Sequence, residues 1–100
     1  MKGPLFEHIE DLARRYLEID IDAITAAQLS QDISTIHKTI NSISNDEELQ
    51  MIRSLLLTLE PHLYVARGYA LDQTPRSFEF YKSIIECQEI FRQIVNAMAS

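Results

Sequence analysis

Apolar residues recur at alternating intervals of three and four along most of this chain, and that spacing restricts it to amphipathic helices. The longest series are Phe80, Ile84, Cys87, Phe91, Ile94, Met98 and Ala26, Leu29, Ile33, Ile36, Ile40, Ile43. With two glycines and three prolines, the chain also lacks the turn residues that a sheet of short strands needs. The sequence therefore predicts an all-α fold.

The breaks between the apolar series divide the chain into four helices. We expect these helices at about 4–18, 22–43, 46–71 and 75–98. Short connections favour antiparallel neighbours, so the prediction is an antiparallel four-helix bundle that forms a single domain over residues 1–100. The helices differ in length, which leaves apolar surface that a second copy could cover. Completion of the bundle by dimerisation is therefore an open alternative.

Local residues indicate where the helices begin. Pro4 suits a first helical position, and either Asp20 or Asp22 can cap the second helix. The Ser-Asn-Asp-Glu stretch at 44–47 fits a capping box ahead of the third helix. Pro61 lies inside that helix and is expected to kink or restart it, because proline removes an intrahelical hydrogen bond.

The charge of the chain argues against two classes of partner. The net charge is −6, and the nine Lys and Arg residues are scattered along the sequence. Neutralising phosphates drives nucleic-acid affinity, and proteins that do so usually carry a basic stripe. We therefore expect no nucleic-acid partner and no docking on an anionic membrane.

The aliphatic run Leu55–Leu57 is far too short to cross a bilayer.

The start of the chain and its cysteine content suggest a compartment. Residues Met1–Leu5 lead into the acidic Glu7 and lack the apolar core of a signal peptide. The single cysteine, Cys87, cannot form an internal disulfide, which is typical of proteins in a reducing environment. We expect a cytoplasmic protein.

The histidines do not form a metal or phosphotransfer motif. No two of His8, His37 and His62 are three or four residues apart, the spacing that presents a metal pair on one helix. Histidine phosphotransfer domains are also four-helix bundles of this size, with Lys three residues after the histidine and then a small residue. None of the three histidines has these neighbours, so the similarity is one of architecture alone.

Nucleophilic catalysis also lacks a recognisable motif. Cys87 falls on an apolar seam, where burial raises the pKa of a thiol and makes it inert. We predict no catalytic residue, no metal and no cofactor. A small helical enzyme remains an alternative, since Arg14, Arg53, Arg67 and Arg92 could converge on an anionic substrate as in a chorismate mutase.

The segment 61–81 is the best candidate for a contact surface, because it holds five of the eight aromatic residues and two arginines. Tyrosine and arginine dominate interface hot spots. The predicted partner-binding residues are Tyr64, Arg67, Tyr69, Arg76 and Phe78. The alternative is that these aromatics fill the end of the bundle. The narrow isoleucine ridge of the second helix is a second candidate surface.

These observations favour a non-enzymatic protein–protein interaction module that binds a partner protein. Regulators, inhibitors, immunity proteins and secretion chaperones share this size and helical class, and a homodimer is compatible with all of them. A small helical enzyme or a histidine phosphotransfer module is the first alternative. A nucleic-acid-binding regulator is the second, and the acidity of the chain disfavours it.

Overall fold

The computed structural model describes residues 4–43, 49–72 and 76–99, and within them the chain is helical with no strand. The four helices are α1 Pro4–Glu18, α2 Ala26–Ser42, α3 Gln50–Asp72 and α4 Phe78–Ala99, with a short 3₁₀ turn at Ile21–Ala23 between α1 and α2. The predicted all-α bundle is confirmed.

Helix α2 begins four residues later than predicted, because a different residue caps it. The Asp20 carboxylate accepts a hydrogen bond from the Asp22 backbone N–H at 3.0 Å and so caps the 3₁₀ turn. The Thr25 hydroxyl accepts from the Gln28 backbone N–H at 3.1 Å and caps α2. Between the two caps, Ile24 is only 2% exposed, so the turn brings an apolar side chain into the core. The proposed capping box at 44–47 lies outside the described residues.

Helix α3 runs through Pro61 without a break. The expectation of a restart at this residue is therefore wrong. The Leu57 carbonyl receives no hydrogen bond from residue 61, since proline has no N–H. Pro61 itself is exposed, so the local loss of one helical hydrogen bond falls on the side of α3 that faces solvent.

Residue contacts between the helices define an antiparallel arrangement. Tyr16 of α1 stacks on Phe91 of α4, with 4.8 Å between the ring centroids. Asp22, in the turn after α1, accepts a hydrogen bond from Tyr81 of α4. The residue number in α4 falls as the number in α1 rises, so these helices run in opposite directions. The most extensive contacts join α3 to α4, α2 to α3 and α1 to α4, whereas α1 and α2 touch little.

Apolar side chains from all four helices form one continuous core. Every residue of the predicted α4 seam is buried, and so are the residues of the predicted α2 seam from Leu29 to Ile43. Ala26, the first residue of that seam, is half-buried. Among the described residues, no helix combines the length and the hydropathy needed to cross a bilayer.

Candidate interaction surface

Two of the five predicted partner-binding residues lie together on the surface of α3. The Tyr64 side chain is 46% exposed, and the Arg67 guanidinium carbon lies 5.0 Å from the centroid of its ring. This cation–π contact holds the two side chains side by side. Tyr69 is half-buried against the core and lines a groove between α3 and α4.

The other two predicted residues have different positions. The Arg76 guanidinium donates hydrogen bonds to the backbone carbonyls of Ile24 at 2.5 Å and Ala70 at 3.2 Å. It also lies 4.6 Å from the ring centroid of Phe80, so it ties the start of α4 to the rest of the bundle. Phe78 is 75% exposed at the first position of α4. The structure therefore does not gather the five residues into one surface.

Between residues 50 and 70, where the structure describes the side chains of α3, the side of the helix that faces solvent carries no charge. Its exposed residues, as far as the structure describes them, are Gln50, Met51, Ser54, Leu57, Thr58, Pro61, Tyr64, Val65 and Gly68. We call the last seven of these, from Ser54 to Gly68, the α3 face. At 100° per residue they lie within about 120° of the helix, opposite the buried Leu59 and Leu63. The charged Arg53, Glu60 and Arg67 are half-buried along one edge of the face.

The α3 face differs from the exposed sides of α1 and α4. The exposed positions that the structure describes in α1 are Glu7, His8, Asp11, Arg14 and Glu18, and those of α4 include Glu79, Lys82, Glu86, Glu89 and Arg92. A helix on the surface of a globular protein normally keeps charged or polar residues on its outward side. Helix α3 instead has apolar residues on both its inward and its outward side.

Three large apolar side chains cluster at the centre of the α3 face. Leu57, Tyr64 and Val65 are 43%, 46% and 47% exposed, and Pro61 lies between them. Because residues three, four and seven apart are neighbours on a helix, these four side chains form one patch. Single exposed apolar residues are ordinary, but a contiguous patch marks a contact site.

Gly68 lies at one end of the α3 face and has no role inside the bundle. A Cβ atom added there would have no atom within 4 Å apart from its own helix backbone and chain neighbours. Glycine inside a helix costs about 0.5–1 kcal/mol relative to alanine. The packing of this chain therefore gives no reason for glycine at this position.

A second feature is a polar cluster that joins α1 to α2. It is built around Asp32, which is 3% exposed. Its carboxylate accepts hydrogen bonds from Arg15 at 2.7 Å, from Gln28 at 3.0 Å and from the Tyr16 hydroxyl at 2.5 Å. Burial of Tyr16, together with its hydrogen bond to Asp32, raises the pKa of the phenol. This cluster ties together two helices that otherwise scarcely touch.

The Asp32 cluster borders an open cleft of about 350 Å³ between α1 and α2. His8, Asp11 and Gln31 also line it. The Asp32 carboxylate already has three donors from its own chain, so it has little capacity left for a ligand. A similar groove of about 380 Å³ between α3 and α4 contains His62, and charged residues of both signs line it.

Three of the residues considered for catalysis, Cys87, Arg14 and Arg92, lie in separate environments. Burial raises the pKa of the Cys87 thiol to about 12, which keeps it protonated and unreactive at neutral pH. Arg14 pairs with Glu10 at 3.0 Å and Arg92 with Glu89 at 2.9 Å. No group of three or more His, Cys, Asp or Glu side chains that could hold a metal ion occurs in the described parts of the chain.

Comparison with protein families, with curated proteins and with solved structures finds no significant match for this chain.

Sequence reasoning missed the Asp32 cluster and much of the α3 face. Asp32 looked like one polar residue on a polar helix side, and nothing local showed that it would be buried. The α3 face did leave a signal, because Glu60 is the only Asp, Glu, Lys or Arg residue between Arg53 and Arg67.

Proposed function

We propose that this chain is a non-enzymatic interaction module that binds a partner protein through the α3 face. The observation that carries the proposal is the combination of exposed Leu57, Tyr64 and Val65 with the absence of any charged residue among the seven residues of the α3 face. Apolar side chains on the outward side of a helix are stabilised when a neighbouring protein removes them from water. The bundle covers one side of α3, and the partner covers the other.

The chemistry of the face matches that of known interface centres. Charged residues are depleted at the core of an interface, whereas tyrosine is enriched. The Tyr64 ring, held against the Arg67 guanidinium, presents a large contact area with little side-chain freedom left to lose on binding. Arg67 and Glu60, half-buried along one edge, are polar residues of the kind that border such a centre.

The function is that of a small regulator, inhibitor, immunity protein or chaperone, all of which act by occupying a surface of another protein. We place the chain in a reducing compartment such as the cytoplasm. Its single cysteine, Cys87, is a fully buried free thiol, which is the behaviour of a cysteine used for packing.

Photo-cross-linking in the source cells tests this proposal. A photoreactive amino acid is placed at Val65, on the α3 face, or at Ser34 or Gln93, which are exposed on α2 and α4. We expect a protein adduct from position 65 and none from positions 34 and 93. Introducing Tyr64→Glu into the chain labelled at 65 should abolish the adduct, since it puts an unpaired charge in the contact.

A folding control accompanies this experiment. Tyr64 is nearly half exposed, so Tyr64→Glu should change the free energy of unfolding by no more than about 0.5 kcal/mol. Equal adducts from all three positions, or none from position 65, would show that the α3 face is not a contact surface.

A further inference from the structure

We infer that the partner on the α3 face is a second copy of this chain, packed antiparallel about a two-fold axis that passes beside Pro61. This inference rests on the proposed function and names the occupant of the same face. Three observations support it: the distribution of charge, the pairing of residues about Pro61 and the glycine at position 68.

Charge favours a contact at this face between two acidic copies. Each copy carries a net charge of −6, so two copies repel one another wherever their charged sides meet. The exposed sides of α1 and α4 are charged and that of α2 is polar with one lysine, Lys38, whereas the α3 face is uncharged and has an apolar centre. Packing two α3 faces together buries no ionised group, and this avoids the desolvation cost that a charged surface would impose. A strongly basic or acidic partner would gain nothing from an uncharged face.

A two-fold axis beside Pro61 brings chemically similar residues of the two α3 faces together. In an antiparallel pair related by a two-fold axis, positions equally far from the axis on either side meet each other. Leu57 then lies opposite Val65 of the other copy. Apolar side chains therefore meet apolar side chains across the centre of the interface.

The ends of the face allow the two helices to approach closely. Ser54 and Gly68 are equally far from Pro61 and would face each other in the pair. Close approach of a second backbone is one of the reasons for which proteins use glycine. The bundle itself leaves open space around the Gly68 Cβ position, so a facing helix supplies the reason that the single chain does not.

The available area sets the strength of the contact. A stable interface takes roughly 600–800 Å² from each partner, about a tenth of the 5946 Å² accessible surface of this chain. The α3 face extends over 14 residue steps, or about 21 Å, which is half of the 42 Å length of the molecule. The contact therefore falls at the low end of the range, and we expect a dissociation constant in the micromolar range, roughly 1–100 μM.

Analytical ultracentrifugation of the full chain from about 1 μM to 1 mM tests the inference. We expect the mass to rise with concentration from 11.5 kDa to twice that value. Leu57→Lys and Val65→Glu should each raise the dissociation constant about 100-fold, because a two-fold interface contains every substitution twice. Ser34→Glu and Gln93→Glu, at exposed positions on other helices, should leave it unchanged.

The double variant Leu57→Lys/Val65→Glu tests the register. If residue 57 faces residue 65 of the other copy, the substitutions form two lysine–glutamate pairs and recover at least tenfold of the lost affinity. A parallel pair would instead place lysine against lysine and would not recover. Circular dichroism on each variant confirms that it is folded.

The outcomes separate this inference from the proposed function. A chain that stays monomeric to 1 mM, a dimer that both face variants leave intact, or a double variant that recovers nothing would overturn the two-fold pairing. If position 65 still cross-links to a different protein in such a case, the interaction module stands and only the second copy is excluded. If position 65 cross-links to nothing, the proposed function fails as well.

Discussion

Removing the carboxylate of Asp32 should destabilise the bundle by about 3 kcal/mol. Asp32→Ala leaves the hydroxyl of Tyr16, which is 2% exposed, without its acceptor, and an unpaired buried donor costs about 1–3 kcal/mol. The Arg15 side chain is 35% exposed, so it can turn to water, and its ion pair contributes no more than about 1 kcal/mol. The hydrogen bond from Gln28 and the space left by the side chain supply roughly another 1 kcal/mol.

Denaturant unfolding monitored by circular dichroism measures this loss. For a domain of this size, a loss of about 3 kcal/mol lowers the melting temperature by roughly 12–24 °C. Asp32→Asn should lose about 2 kcal/mol, since its amide oxygen still accepts from Arg15 and Gln28 but its amide N–H, facing the Tyr16 oxygen, leaves the Tyr16 hydroxyl hydrogen without an acceptor. Asp11→Ala, an exposed acid beside the same cleft, is the matched control and should change stability by less than about 0.5 kcal/mol.

A double-mutant cycle shows whether the loss comes from the contact itself. Tyr16→Phe and Asp32→Ala remove the two partners of the 2.5 Å hydrogen bond, so their combined effect should fall short of the sum by at least about 1 kcal/mol. The reasoning is refuted if Asp32→Ala stays within about 1 kcal/mol of the wild-type chain, or if the two substitutions are additive.

Three further predictions concern other parts of the chain. Gly68→Ala should raise the unfolding free energy of dilute protein by about 0.5–1 kcal/mol. It should also weaken self-association in the ultracentrifuge. An unchanged or lower stability would contradict the open space around the Gly68 Cβ position. Because the pKa of Tyr16 is raised in the folded chain, its contribution to stability is complete below about pH 10 and is lost as the pH rises further, by up to roughly 1.4 kcal/mol per pH unit. Denaturant titrations between pH 8 and 11 should therefore show a shallower alkaline loss for Tyr16→Phe, and equal slopes would be evidence against it. The Cys87 thiol is buried with its pKa raised to about 12, so its reaction with a disulfide reagent should follow the unfolding rate; immediate labelling of native protein would disagree.

The helix positions could be predicted from the sequence because each depends on a repeating local pattern. The Phe80–Met98 seam has one apolar residue per turn, and any helix built from it must bury that side. The start of α2 was harder, since Asp20, Asp22 and Thr25 are all competent caps within six residues. The burial of Ile24 decides that Thr25 caps α2. That burial depends on the positions of α4 and of the end of α3.

The contact residues were only partly predictable for the same reason. Composition drew attention to Tyr64 and Arg67, which the structure places together at the surface. It also drew attention to Arg76, whose guanidinium donates to the carbonyl of Ile24, 52 residues away. A sequence window contains no information about a partner that far along the chain.

By itself the sequence determined which side of each helix is apolar, because a spacing of three and four residues converts directly into an angle around the helix axis. Only the tertiary structure decided which apolar residues are covered. Leu59 and Leu57 are both apolar residues of α3, yet the first is fully buried and the second is 43% exposed. The difference arises because the other helices pack against one side of α3 and leave the opposite side open. The physical reason is that burial is a property of the neighbours a side chain meets, and those neighbours are fixed only when distant parts of the chain come together.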